Sequence, residues 1–232
     1  MTPFKGLLID GTSGVGKSSL IDALIRHHVA TSKPRKIRSL VHLAQSHTYG
    51  PLASLEDGDN LTVAENLLHL DRIVSHLEWL HRSVQEHSKP WCFVILDTLH
   101  LTHCVRPGIV RWADVEPIDR RLAALGCKLV SLSVSSSNLW QRGIEPRKDE
   151  QFLLEYAKKF GRTNEEIHAY FVREQEVLSD LYSRSIMPKL TLHNDGPIER
   201  ILGEVYRFWM EDPMHHPLTD ASSADTFRSP QP

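Results

Sequence analysis

The sequence predicts an α/β fold of three layers (α/β/α), in which helices cover both faces of a parallel five-stranded sheet. Three observations predict it. Apolar runs of strand length alternate with helical patterns along the chain, which is the order typical of parallel sheets. The first apolar run leads into a glycine-rich loop that opens a helix, Gly11–Ser18. A later run, Trp91–Leu96, ends at Asp97, and the carboxyl ends of such strands are where functional side chains gather.

The strands and helices follow from hydrophobic patterning and from stop and start signals. The predicted strands are Phe4–Ile9, Lys36–Leu43, Trp91–Leu96, Lys128–Val134 and Leu190–His193. Helices are predicted at seven places along the chain: from Ser18 to Ile25, from Thr62 through a capping box with Glu65, over Glu116–Leu125, from Ser135 towards Arg142, over Asp149–Phe160, from Thr163 through a second capping box with Glu166 to about Ser185, and from Asp195 to about Met210. The segment Gln45–Asn60 contains Gly50-Pro51 and Asp57-Gly58, so it is predicted to be a loop.

Length and charge limit the classes of protein that the chain can be. Its 232 residues fit one α/β domain, which we assign to residues 1–210, whereas residues 211–232 have the composition of a disordered tail. The net charge of −2 and the pI near 6.7 argue against a binder of nucleic acid or of a membrane surface. No apolar run approaches the ~18 residues of a transmembrane helix. We expect no signal peptide, because the first predicted strand begins at Phe4.

Neither the cysteines nor the histidines predict a metal site. The 14 histidines lack zinc-ligand spacing and are expected to be mostly surface side chains. The three cysteines also lack metal-ligand spacing, and we expect them to be reduced thiols of a cytoplasmic protein: Cys92, Cys104 and Cys127.

The glycine-rich loop matches the phosphate-binding pattern G-x-x-x-x-G-K-[ST] completely. Its glycines let successive backbone N–H groups point inward at a helix N-terminus, which makes an anion nest. Lys17 can reach the terminal phosphates, and the Ser18 hydroxyl can complete a Mg²⁺ shell. The pattern therefore predicts a site for a nucleoside triphosphate, formed by Gly11, Thr12, Ser13, Gly14, Val15, Gly16, Lys17, Ser18 and Ser19.

Two aspartates are candidates for the chemistry beside this loop. Asp97 can hold Mg²⁺ through water or accept a proton from an attacking hydroxyl; the alternatives are a helix N-cap or a solvated turn. Asp10, at the end of the first strand, can do similar work or orient the loop.

A basic segment follows the fourth strand and predicts a short lid at about residues 142–150. Arg142, Arg147 and Lys148 lie in it, and guanidinium groups stabilise the charge that spreads over a transferring phosphoryl group. We expect Arg142 and Arg147 to be catalytic, with solvated surface charges as the alternative.

These motifs resemble those of thymidylate kinases and related nucleoside monophosphate kinases. Asp10–Ser18 looks like the opening of that family, and Leu67–His76 is similar to its helix carrying Ala-Asp-Arg and a nearby His. Asp97 falls where the family has Asp-Arg, and Arg142 and Arg147 fall in its lid.

The resemblance covers most of the chain, from about Phe4 to Met210. It implies the P-loop kinase fold with a basic lid, ATP and Mg²⁺ as cofactors, phosphoryl transfer, and an acceptor contacted by Asp10 and Arg72. The alternative for Arg72 is a pair with a carboxylate on its own helix, Asp71 or Glu65.

The chain departs from the family at the acceptor side of the site. Thr98 stands where the family has the arginine after the aspartate, and Ser13 stands where it often has an Asp or Arg. We therefore expect dTMP to be a poor substrate unless Arg106 or Arg111 replaces the missing arginine. The acceptor is left open among nucleosides, modified nucleotides and hydroxylated metabolites.

Three functions remain at this point. The first is a kinase that acts on a small-molecule acceptor. The second is an ATPase or nucleotide switch that acts on a protein partner, and the third is a degenerate ATP-binding module. A homodimer is left open.

Overall fold

The computed structural model describes residues 3–32, 38–58, 60–86, 91–106, 109–147 and 159–211. Its strands are β1 (Phe4–Asp10), β2 (Arg38–Leu43), β3 (Trp91–Asp97), β4 (Lys128–Ser133) and β5 (Lys189–His193). Its helices are α1 (Lys17–Thr31), α2 (Gln45–Thr48), α3 (Gly50–Asp57), α4 (Val63–Gln85), α5 (His100–Val105), α6 (Trp112–Ala124), α7 (Ser136–Leu139), α8 (Asn164–Arg184) and α9 (Glu199–Met210). A π-helical turn, Trp140–Ile144, and a 3₁₀ turn, Glu145–Arg147, follow α7.

The predicted parallel sheet of five strands is confirmed, with the order β2-β3-β1-β4-β5. All seven residues of β1 are buried, as expected for a central strand covered on both faces. Ile9 pairs with Asp97 across β1 and β3, and Asp10 pairs with Ser131 across β1 and β4. The register therefore brings the carboxyl ends of β1 and β3 together, with one aspartate on each.

Two hydrophobic clusters, one on each face of the sheet, make the three layers. Successive residues of β1 point to opposite faces, so Leu8 packs in one cluster and Leu7 and Ile9 pack in the other. The first cluster contains apolar side chains of α4 and α6; the second contains those of α1 and α9, with Trp209 fully buried. Each such side chain contributes about 1.5–3 kcal/mol when it leaves water.

The capping box predicted at Thr62 is confirmed, and the one predicted at Thr163 is confirmed only in its side-chain cap, because the Glu166 carboxylate accepts from the Arg162 N–H (2.6 Å). The Thr62 hydroxyl of α4 accepts from the Glu65 N–H (3.2 Å), and a Glu65 carboxylate oxygen accepts from the Thr62 N–H (2.9 Å). At α8 the Thr163 hydroxyl accepts from the Glu166 N–H (3.2 Å). These bonds satisfy backbone N–H groups that have no partner inside the helix.

The prediction of a loop over Gln45–Asn60 is wrong, because α2 and α3 occupy most of it. Pro51 lies in the first turn of α3, where no N–H is needed, so it starts a helix instead of breaking one. The burial of Tyr49 and Leu52 then fixes the segment against the rest of the protein.

Other boundaries differ from the prediction, and some predictions cannot be compared. Helix α6 begins at Trp112 because the Asp114 carboxylate accepts from the Arg111 N–H (2.8 Å) and caps it. Helix α5 was not predicted. Residues 149–158 of the predicted helix Asp149–Phe160, the lid residues 148–150 and most of the tail lie outside the described residues. Within the described ranges, no helix has the length and hydrophobicity needed to cross a bilayer.

Candidate functional site

The phosphate loop connects β1 to α1 through three glycines with positive φ. The angles are 146° at Gly11, 86° at Gly14 and 96° at Gly16, values that residues with a side chain rarely adopt. A Cβ at Gly14 would lie 2.9 Å from Gly143 Cα, and one at Gly16 would lie 2.8 Å from Asn194 Nδ2. The motif glycines thus serve both the backbone conformation and close packing against later segments.

The loop forms one wall of a cleft of about 630 Å³. Six of the predicted nucleotide-binding residues line this cleft: Ser13, Gly14, Gly16, Lys17, Ser18 and Ser19. The other three do not line it. Thr12 and Val15 are buried behind it, and Gly11 supports the turn. The rest of the lining comes from later in the chain, namely Gln45, Arg106, Arg142, Asn194, Gly196 and Ile198.

Lys17 is nearly buried and lies across the loop. Its Nζ donates to the main-chain oxygens of Gly11 (2.7 Å) and Thr12 (3.0 Å). Burial and the nearby Arg106 lower the pKa of Lys17, while nearby carboxylates, with Asp97 the largest, oppose the shift. Lys17 and Arg106 therefore both line the cleft, close enough for their charges to interact.

The two aspartates at the ends of β1 and β3 are both buried, but they have different partners. Asp10 Oδ1 accepts from the Gly11 N–H (2.7 Å) and from the Thr102 hydroxyl (2.8 Å). Asp97 Oδ1 has no hydrogen-bond partner in the described part of the chain. Burial raises the pKa of both carboxyls, and the charge of Lys17 opposes the rise at each. Asp10 orients the loop through Oδ1. Its Oδ2, like Asp97 Oδ1, is buried without a hydrogen-bond partner in the described residues, so each aspartate keeps an oxygen that a ligand could satisfy.

Asp97 fits neither of the alternatives that the sequence left open for it. The residue that precedes α5 as its N-cap is Leu99, not Asp97. Asp97 is also only 7% exposed, so it does not lie in a solvated turn.

Thr98, which stands where the resembling family has arginine, is turned into the protein. Its φ is 58°, a strained value for a β-branched residue. Its N–H donates to the main-chain oxygen of Ile9 (2.9 Å), and its hydroxyl donates to the main-chain oxygen of Asp97 (2.6 Å). This position contributes to the turn after β3 and offers no cation to an acceptor.

Arg106, at the end of α5, is a site residue that was not among the predicted catalytic or binding residues. Its Nη2 donates to the Ser13 hydroxyl (2.9 Å), and its Nε donates to a carboxylate oxygen of Glu174 on α8 (2.9 Å). The other oxygen of Glu174 accepts from the Thr12 hydroxyl. Had a helix been predicted after Asp97, it would have indicated Arg106, because residues four positions apart, such as Thr102 and Arg106, lie on the same face of a helix.

The lid arginine Arg142 lies on the rim of the cleft. Its two Nη atoms donate to the main-chain oxygens of Asn194 (2.6 Å) and Gly196 (3.3 Å). The structure thus places Arg142 in the cleft that the phosphate loop lines, and its catalytic role stays a prediction. The side chain of Arg147 and all of Lys148 lie outside the described residues.

The structure does not bring Arg72 into the cleft. Arg72 is exposed on α4 and has no hydrogen bond or ion pair with any other residue in the described ranges. Asp71 pairs instead with Arg121 (2.6 Å), and Glu65 caps α4. Contact of Arg72 or Asp10 with an acceptor stays a prediction.

A buried histidine–aspartate pair holds α5 in place. His100 and Asp119 of α6 are both fully buried, with His100 Nε2 2.9 Å from Asp119 Oδ1. The same carboxylate accepts from the Ser185 hydroxyl (2.6 Å) and the Ile186 N–H (2.9 Å). Because α5 carries both Thr102 and Arg106, this network fixes residues that touch the loop.

Comparisons with known proteins show the fold and no closer relationship. No protein family matches the sequence, and no curated protein matches it. YorR protein from Bacillus subtilis, solved in complex with phosphorylated GDP, is 12% identical with a TM-score of 0.50, over 86% of this chain and 92% of that one. Shikimate kinase from Acinetobacter baumannii, solved with shikimate, is also 12% identical with a TM-score of 0.50, over 89% of this chain and 93% of that one. The chain therefore has the α/β fold of P-loop kinases.

Proposed function

We propose that the protein is an ATP-dependent phosphotransferase that moves the γ-phosphate of ATP to a hydroxyl group of a small molecule. The observation that carries the proposal is the meeting of three features at one edge of the sheet. These are a glycine-rich loop that opens a helix, the buried Lys17, and Asp97 with an unpartnered carboxylate oxygen.

The residues of the cleft fit ATP and Mg²⁺. A volume of about 630 Å³ lies within the usual range of ligand sites, and the N-terminus of α1 favours an anion. The Ser18 hydroxyl would be a ligand of Mg²⁺, and Asp97, which lies beside the cleft at the end of β3, would hold the metal through a water molecule. When bound, the metal would neutralise charge on the β- and γ-phosphates.

Asp97 is the proposed general base of the transfer. The oxygen of the acceptor hydroxyl attacks the γ-phosphorus, the bond from that phosphorus to the bridging oxygen breaks, and ADP leaves. The proton of the hydroxyl passes to Asp97, whose pKa is raised by burial, so the carboxylate is a stronger base than one in water. Lys17 and Arg142 stabilise charge on the phosphates.

The acceptor is proposed to carry at most one negative charge. Thr98 is turned inward, and Arg106 donates to Glu174 and to Ser13 of the phosphate loop, so its guanidinium is held on the ATP side of the site. A dianionic acceptor phosphate needs cationic or forked contacts because its desolvation is costly. A nucleoside or a hydroxylated metabolite therefore suits the site better than dTMP.

The cytoplasm is the proposed compartment. Its support is that all three cysteines, two of them buried, are free thiols. A homodimer remains a prediction that sedimentation would test.

A screen of acceptors tests the function. Purified protein is given ATP and Mg²⁺ with nucleosides, nucleoside monophosphates or hydroxylated metabolites, and ADP and phosphorylated product are both measured. At least one acceptor should raise ADP release above basal hydrolysis with matching product. Hydrolysis that no acceptor stimulates would indicate an ATPase, and tight ATP binding without turnover would indicate a degenerate module.

A further inference from the structure

On the basis of the phosphotransferase function proposed above, we infer that Arg106 is a second cation for the γ-phosphate, supplied from α5, and that the buried Glu174 is its positioning residue. The inference starts from where the guanidinium lies. Arg106 Nη2 is 2.9 Å from the hydroxyl of Ser13, in the middle of the phosphate loop. Arg106, Ser13 and Lys17 all line the same cleft.

Two cations held beside one small space indicate a site for an anion. The Arg106 side chain is 12% exposed, and Arg106 is the largest electrostatic cause of the lowered pKa of Lys17. Like charges in a poorly solvated place disfavour one another. An anionic group bound in the cleft beside both cations removes that penalty, and the terminal phosphate of a nucleotide in the loop would supply it.

The guanidinium keeps donors for such a group. Arginine has five N–H bonds in a planar fork. Nε donates to Glu174 and Nη2 donates to Ser13, whereas Nη1 donates to no other residue of the described ranges. The fork can therefore bind a phosphoryl oxygen without giving up its protein contacts.

Glu174 fixes the direction of this fork. Its carboxylate is almost fully buried and both of its oxygens are used, one by Arg106 Nε (2.9 Å) and the other by the Thr12 hydroxyl. One side chain of α8 thus joins the loop to α5. Glu174 also neutralises the buried guanidinium, and an unpaired charge there would be strongly destabilising.

The test compares binding of a triphosphate with binding of a diphosphate. The main variant is Arg106→Met with Glu174→Gln, which removes both charges, so no buried charge is left unpaired. The matched control is Arg120→Met with Glu116→Gln, since this pair lies on the exposed face of α6 (2.6 Å). Calorimetry gives the Kd of each protein for the β,γ-imido analogue of ATP and for ADP, both with Mg²⁺, and a thermal melt checks folding.

The expected result is a selective loss of triphosphate binding. The main variant should lose about tenfold or more in the ratio of triphosphate to diphosphate affinity, the range for one charge-assisted hydrogen bond. The control should keep the ratio within about twofold. An equal loss for both nucleotides, or an unchanged ratio, would overturn the inference. The pair of Arg106 and Glu174 would then only stabilise the conformation of the loop. Wild-type protein that binds neither nucleotide would instead refute the proposed function, and this inference with it.

A double-mutant cycle tests the role of Glu174. Glu174→Gln alone should lower the affinity ratio, because the fork loses its direction. In the Arg106→Met background the same change should have no further effect on the ratio, since Glu174 acts through Arg106. Additive losses in the cycle would contradict a positioning role.

Discussion

The Thr102 hydroxyl donates to Asp10 Oδ1 at 2.8 Å and so ties the carboxylate that precedes the phosphate loop to α5. The Gly11 N–H donates to the same oxygen at 2.7 Å. Arg106, one turn after Thr102, reaches the loop at Ser13. Helix α5 therefore contacts the loop at its start and at its middle.

Asp10→Asn is expected to reduce turnover by about tenfold or less. One amide oxygen can still accept from Gly11 and Thr102, so the change only weakens two hydrogen bonds from charged to neutral. Thermal stability should hold, because an amide is less costly to bury than a carboxylate. Turnover and a thermal melt check this. A loss of about a thousandfold with intact ATP binding would make Asp10 the base.

Asp97→Asn is expected to reduce turnover by about two to four orders of magnitude, the effect of losing a general base. Affinity for ATP should change much less, because the loop and Lys17 remain. Steady-state kinetics and ATP titration measure the two quantities. A fall in turnover of less than about tenfold would show that Asp97 has a structural role and that another group accepts the proton of the acceptor hydroxyl.

Lys17→Ala is expected to abolish phosphoryl transfer and leave the protein folded. Lys17 is the only cationic side chain of the loop, and its contacts to Gly11 and Thr12 are to main-chain oxygens that other groups or water can satisfy. Activity is measured beside a thermal melt. Near-normal turnover in a folded variant would contradict the assignment of the loop.

His103 is expected to make the protein less stable in acid. It is fully buried. Its Nε2 donates to the main-chain oxygen of Thr48 (2.9 Å), and its Nδ1 lies 2.7 Å from the side-chain amide oxygen of Asn66. Burial lowers its pKa to about 3, below the ~6.5 of an unfolded chain. Between these values the unfolded state binds one more proton, so the free energy of unfolding falls as pH falls, by up to about 1.4 kcal/mol per unit.

Denaturant unfolding between pH 7 and pH 5 measures this dependence. His103→Gln removes the titrating group, so its unfolding free energy should fall less steeply than that of the wild type over the same range. Parallel slopes for the two proteins would show that other groups cause the acid sensitivity.

Short sequence patterns predicted strands and helix caps, whereas features that depend on contacts between residues far apart in the sequence were not predicted. The strand β3 and the caps at Thr62 and Thr163 could be predicted because each depends on a few adjacent residues. The pair of Arg106 with Glu174 spans 68 positions, and no local pattern marks it. Helices α2 and α3 were missed because burial of Tyr49 and Leu52, which the segment alone does not reveal, outweighs its turn-like composition.

Nucleoside monophosphates are expected to be poorer acceptors than the corresponding nucleosides, by about tenfold or more in kcat/KM. The physical reason lies in the charges near the loop. Thr98 is buried and donates to the main-chain oxygen of Asp97, and Arg106 is held at Ser13 of the phosphate loop and by Glu174. An acceptor phosphate would therefore lose its hydration without gaining the two forked contacts that would compensate for it. Paired assays of thymidine with dTMP, and of other nucleosides with their monophosphates, measure the ratio. Efficient phosphorylation of dTMP would show that a further cation serves the acceptor, and loss of that activity in Arg72→Ala or Arg111→Ala would identify it.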